Sequence, residues 1–106
     1  MLLNLQQRGQ LIRLLPQKGS ISDLIICKEL KFKLLDLSDE HKEKIDYVSL
    51  ESGEIKFNLQ KDNEYFENVE FSESEKYVLK RGVDELDKSE SIAPDMLDIC
   101  LDVKDL

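Results

Sequence analysis

Between Ile45 and Leu59 the spacing of apolar residues changes from the helical period of about 3.6 to the strand period of about 2. Val48 and Leu50 alternate with polar neighbours, Ser52-Gly53 supplies a turn, and Ile55, Phe57 and Leu59 alternate again. This pattern predicts a β-hairpin set between helical segments. The chain is therefore expected to form a small α+β domain rather than a plain helical bundle.

The helices around the hairpin announce themselves by their caps. Asn4, with Gln7 reaching back to it, opens a first helix over residues 5–15, which Pro16 ends. Ser20 with Asp23 opens a second, whose expected buried stripe is Ile21, Leu24, Ile25, Leu30 and Leu34, with Lys28, Lys31 and Lys33 on its outer side. Ser38 caps a short third helix, Asp39 to Lys44. After the hairpin, Asp62-Asn63-Glu64 reads as an acidic loop. Val69 and Phe71, alternating with polar residues, read as a third strand near residues 66–71, giving a small antiparallel sheet. Ser72 with Glu75 opens a helix to about Leu86 with Val78, Leu79, Val83 and Leu86 inward. Gly82 within it should cost about 1 kcal/mol relative to alanine. Pro94 suits the first turn of a last helix running to about Val103, with Ile92 stapled onto it.

A chain of 106 residues is read as one domain, residues 1–106, able to bury one core without staples. Cys27 and Cys100 stand far apart among apolar neighbours, so buried free thiols in a reducing compartment are expected rather than a disulfide scaffold. The leucines near the N-terminus are interrupted by Asn4, Gln6, Gln7, Arg8 and Gln10, which is not the h-region of a signal peptide, and the longest apolar run, Leu24 to Cys27, cannot span a bilayer. The expected location is the cytoplasm.

The net charge of -8 is uneven: residues 1–44 carry eight Lys/Arg and six Asp/Glu (+2), residues 45–106 seven and seventeen (-10). The acidic part would repel phosphate backbones. The helix–helix–helix–hairpin order of residues 5–59 matches a winged helix-turn-helix, whose wing would be the Ser52-Gly53 turn. Glu29, Asp39, Glu40 and Glu43 on its helices and Glu51 and Glu54 beside the turn argue against nucleic acid as a partner.

The catalytic inventory is thin. His41 is the single histidine and lies among Asp39, Glu40, Lys42 and Glu43, so a solvated surface position is expected, away from both cysteines. Three Cys/His residues in all do not make a zinc site. Asp62, Glu64 and Glu67 fail the calcium-loop pattern, and the four glycines are isolated. The reading is no catalytic residues, no metal and no cofactor.

Two contact surfaces are expected. On the last helix Asp95, Asp98, Asp102 and Asp105 form one acidic line, while Met96, Leu97, Ile99, Cys100, Leu101 and Val103 are apolar. Either this wide arc packs into the core, or Met96, Ile99 and Val103, edged by Asp102, form part of a subunit interface in a homo-oligomer. Tyr65 and Phe66 within the acidic loop are a second contact point. Arg8, Arg13, Lys28 and Lys31, with Lys33, are the local supply of cations for an anionic small molecule.

The whole pattern resembles a group of short proteins encoded by tailed phages and prophages that have no assigned function. The resemblance rests on Leu14-Leu15-Pro16, Lys18-Gly19-Ser20, Leu37-Ser38-Asp39-Glu40, the hairpin Ser52-Gly53-Glu54-Ile55-Lys56-Phe57-Asn58, and Val69-Glu70-Phe71 leading into a helix. It spans most of the chain in pattern and carries over no catalytic residue. It implies a mobile-element context in which small proteins act by binding and blocking. The expected function is a non-enzymatic interaction protein in the host cytoplasm. It would bind a host protein stoichiometrically, for example a defence component, or sequester a small signalling molecule. The alternative is a winged-helix regulator.

Overall fold

A computed structural model describes residues 1–106. The chain runs β1 (Leu2–Leu3), α1 (Leu5–Leu14), α2 (Ile21–Leu35), α3 (Asp39–Lys44), β2 (Val48–Ser49), β3 (Ile55–Lys56), α4 (Leu59–Glu64), β4 (Glu67–Asn68), α5 (Glu73–Lys88), a 3-10 turn (Pro94–Met96) and α6 (Leu97–Lys104). It is an α+β fold of six helices and two small antiparallel sheets.

The capping residues lie where their side chains predict. Asn4 Oδ1 accepts from the Gln7 amide at 2.8 Å and the Gln7 side chain accepts from the Asn4 amide at 3.0 Å. Ser72 and Glu75 make the same reciprocal pair at the start of α5, and Ser20 and Ser38 open α2 and α3. The hairpin pairs Val48 with Lys56 and Ser49 with Ile55, and its turn uses the positive φ of Gly53, +86°.

The core is helical. Leu11 and Leu14 of α1, Leu30 and Leu34 of α2, Val78, Leu79 and Val83 of α5, and Ile99, Cys100 and Val103 of α6 form one buried cluster, joined by Leu3, Cys27, Val69 and Met96. The hairpin lies outside it, with Val48 and Ile55 half exposed. Both cysteines are buried free thiols.

Gly82 has the opposite meaning to the one its helical propensity suggests. A Cβ there would lie 1.9 Å from the Leu14 carbonyl oxygen. Glycine is what lets α5 pass directly over the C-terminal turn of α1.

Four further expectations change. The third strand forms, but β4 pairs with β1, Leu2 with Asn68 and Leu3 with Glu67, instead of extending the hairpin. The Met1 ammonium group reinforces the pairing by donating to Asn68 Oδ1 at 2.9 Å and the Val69 carbonyl at 3.0 Å. The acidic loop at residues 62–64 is the end of α4, whose single turn and a half is too short to show a period. On α2 the buried stripe is Cys27, Leu30 and Leu34, while Ile21, Leu24 and Ile25 face outward. Two ion pairs to α5 accompany that rotation: Asp23 with Arg81 at 2.7 Å at one end, Lys33 with Glu75 at 3.0 Å at the other. Finally Met96, Ile99 and Val103, offered as interface residues, are buried in the chain's own core, because α6 lies against both α5 and α1. The acidic line beside them, Asp102 included, is exposed.

Candidate functional site

His41 is not a surface residue: its side chain is fully buried. Ser38 starts α3, and Leu37 just before it, His41 within it and Ile45 at its C-cap, spaced four apart, are all three buried. That spacing was present in the sequence, and the charges around His41 obscured it.

The ring meets residues of α4, of β4 and of the link between them. Nδ1 lies 3.6 Å from Glu67 Oε1 and Nε2 4.0 Å from Asp62 Oδ1, and the Tyr65 ring stands edge-on at 5.0 Å. Neither ring nitrogen has a hydrogen-bond partner in the protein. Glu67 accepts from the Tyr65 hydroxyl at 2.7 Å and from Ser38 Oγ at 2.9 Å. Asp62, also fully buried, accepts from the Leu5 and Gln6 amides at 2.8 and 3.1 Å and from the Gln6 side chain at 3.0 Å. A carboxylate from α4 thus caps the positive end of α1. Arg8 completes the cluster, buried, with Nη1 donating to the Leu34 carbonyl at 3.1 Å.

The electrostatics follow from burial. Desolvation pushes the His41 imidazolium pKa below its ordinary value; Glu67 and Asp62 oppose this and Arg8 adds to it. The Tyr65 hydrogen bond holds Glu67 below the usual carboxylate range, helped by Ser38 and by the charges of His41 and Arg8. The same bond raises Tyr65 to about 12. His41 is therefore neutral and Glu67 ionised near neutral pH. No hydroxyl or thiol nucleophile hydrogen-bonds to the ring, and no groove is lined by His41, Asp62 or Glu67. The cluster ties α1, α3, α4 and β4 together, with His41 and Asp62 fully buried and Glu67 partly exposed at its edge.

The surface chemistry lies on α2. Ile21 is 81% and Phe32 63% exposed, and Leu24, Ile25 and Leu35 are partly to half exposed. Residues 21, 25, 28, 32 and 35 follow a 4-3-4-3 spacing, so Ile21, Ile25, Lys28, Phe32 and Leu35 make one outward stripe opposite Cys27, Leu30 and Leu34. A helix with two apolar faces has a second surface to cover. This stripe was legible as spacing, but the sequence does not say which face turns inward.

Beside the stripe, between α1 and α2, runs an open groove of about 430 Å³ lined by Arg13, Lys28 and Lys31 over Ile12, Leu15 and Cys27. Three of the four expected anion contacts converge there. Arg8 does not, because its guanidinium is buried and engaged with Leu34. Tyr65 and Phe66 separate: Tyr65 is half buried with its hydroxyl held by Glu67, and Phe66 remains exposed.

Compared with protein-family models, with curated proteins and with solved structures, the chain matches none. The reading of its surface rests on its own geometry. No helix is long and apolar enough to cross a membrane.

Proposed function

We propose that the protein is a non-enzymatic interaction protein of phage or mobile-element origin that acts in the host cytoplasm by binding a host component stoichiometrically. The observation that carries this reading is the contrast between two sets of residues. His41 and Asp62 are enclosed in the fold, whereas Ile21, Ile25, Phe32 and Leu35 stand outward on a well-anchored helix. Folding leaves large apolar groups in water where a binding partner can remove them from it.

A second mode, sequestration of a small anionic signalling molecule, is favoured by the convergence of Arg13, Lys28 and Lys31 on one groove. The winged-helix alternative fares worse. Its third helix has only six residues, Asp39, Glu40 and Glu43 point outward from it, and Glu51 and Glu54 flank the hairpin tip. Those carboxylates would meet the phosphates first.

The test is affinity capture from host cytosol with the wild-type protein and with an Ile25→Asp/Phe32→Asp variant. Proteins, and small molecules released on heating, are identified by mass spectrometry. A host protein or anion held at fixed stoichiometry by the wild type and released by the variant is expected. A turnover activity that disappears in folded His41→Ala would overturn the reading.

A further inference from the structure

We propose that the outward face of α2 is covered by a second copy of this chain, the two α2 helices lying parallel about a two-fold axis. The proposal rests on the reading of α2 as the binding face and gives that face to a second copy; a host component then binds the pair, and Ile25→Asp/Phe32→Asp releases it by separating the copies.

The first argument is the stripe. Its 4-3-4-3 spacing is that of a left-handed helix pair, and the helix is already anchored to α5 by Asp23–Arg81 and Lys33–Glu75, so the seam needs no ordering on association. The second argument is the charge beside it. Ser22, Glu29 and Asp36 edge one side of the stripe, all exposed. Leu24 and Lys31 edge the other, continuous with the groove that Arg13 and Lys28 line. In a parallel pair, one flank of each helix meets the opposite flank of its partner. Lys31 then faces the partner's Asp36, and Lys28 lies beside the partner's Glu29, twice each by symmetry. The acidic edge of one copy runs along the basic groove of the other. An antiparallel pair would instead set Glu29 against Glu29 and Lys31 against Lys31, and like charges there are repulsive.

The third argument is the charge of the whole chain. Residues 1–44, which contain this face, carry +2, and residues 45–106 carry -10. Pairing through α2 uses the least acidic part of the molecule, whereas pairing through the acidic part would bring two strongly negative surfaces together. Lys28, at the middle of the seam, keeps the pair in one register; a single charged residue in such a seam specifies alignment at some cost in stability.

Light scattering after gel filtration at micromolar concentration should give a mass twice 12.3 kDa for the wild type and 12.3 kDa for Ile25→Asp, with an unchanged circular dichroism spectrum. Lys31→Glu alone and Asp36→Lys alone should each weaken association by about tenfold, and the double swap should restore it. Ile21→Cys, at the end of the seam, brings two thiols together only in the parallel arrangement, and mild oxidation should link it into a covalent dimer. A wild type that stays at 12.3 kDa, or an Ile25→Asp variant that keeps the doubled mass, would overturn self-association through α2. An absent cross-link, or a double swap no better than its parents, would overturn the parallel arrangement. If the wild type is monomeric while Ile25→Asp still loses a captured host protein, the binding face stands and its occupant is that protein. Loss of both effects removes the reading of the face as well.

Discussion

The four-helix core and the segment from Leu37 to Asn68 are held by different forces. In the core, α1, α2, α5 and α6 meet through leucine, valine, isoleucine and two cysteines, and no charged side chain enters the cluster. In the segment, the residues closed off from water are Leu37, His41, Ile45 and Asp62, and its strands keep Val48 and Ile55 half in solvent. The core is stabilised by volume: each buried aliphatic side chain contributes about 1.5–3 kcal/mol. The segment is positioned by partners: Asp62 on the first amides of α1, Glu67 on Tyr65 and Ser38, and His41 between two carboxylates. Such polar contacts add little net stability but are costly to break singly. The core therefore sets whether the chain folds, and the polar cluster sets where the hairpin, α3 and α4 sit upon it.

Substitutions in the two regions should separate these roles. The largest effect is expected from Ile99→Asp, which puts a carboxylate into the middle of the apolar cluster with no partner. A loss above about 4 kcal/mol is expected, enough to abolish the cooperative thermal transition. A folded Ile99→Asp monomer would contradict the placement of α6 as core.

Gly82→Ala comes next. By propensity alone it should stabilise α5 by about 1 kcal/mol. Its Cβ would instead meet the Leu14 carbonyl oxygen at 1.9 Å, so α1 and α5 must separate. A loss of about 3 kcal/mol in urea unfolding is expected. An unchanged midpoint would mean that the two helices are not in contact at this point.

Asp62→Ala removes the carboxylate that accepts from the Leu5 and Gln6 amides. About 1–2 kcal/mol is expected, the range for loss of a helix cap. The sharper readout is hydrogen exchange, where amides of α3 and α4 should open more readily while those of α5 and α6 keep their protection. Uniform loss across the chain would show that the two regions unfold as one.

The smallest effect is a pH dependence. The folded-state pKa of His41 lies below its ordinary value of 6.5, so the unfolded chain takes up the proton first. Its contribution is fully present above pH 6.5 and is lost as pH falls below it, with a slope of at most about 1.4 kcal/mol per pH unit. Glu67, held below its ordinary 4.5, adds a second loss only when the pH falls below that value. His41→Phe should flatten stability between about pH 7 and pH 5 and leave the more acidic limb in place. A wild-type stability that does not fall over that interval would mean that the ring is hydrated.

The sequence by itself determined the local structure. Asn4, Ser20, Ser38 and Ser72 start helices because their side chains accept from amides two or three residues ahead, a contact that needs nothing from the rest of the chain. The hairpin, its Gly53 turn and the inward residues Val78, Leu79 and Val83 of α5 were legible too, because turn and period depend on near neighbours in the chain. Only the tertiary structure decided the rest. β1 and β4 are two residues each and exist because they meet across more than sixty positions. Gly82 is a point of contact only because α1 crosses it. His41 reads as solvated from its charged neighbours, yet lies inward with Leu37 and Ile45, which flank its short helix and are buried with it. Most consequentially, α2 carries two apolar faces of comparable strength, and hydrophobic period cannot choose between them. Packing against α1 and α5, elements distant in the sequence, turns Leu30 and Leu34 inward and leaves Ile25 and Phe32 in solvent, and Asp23–Arg81 and Lys33–Glu75 fasten that orientation.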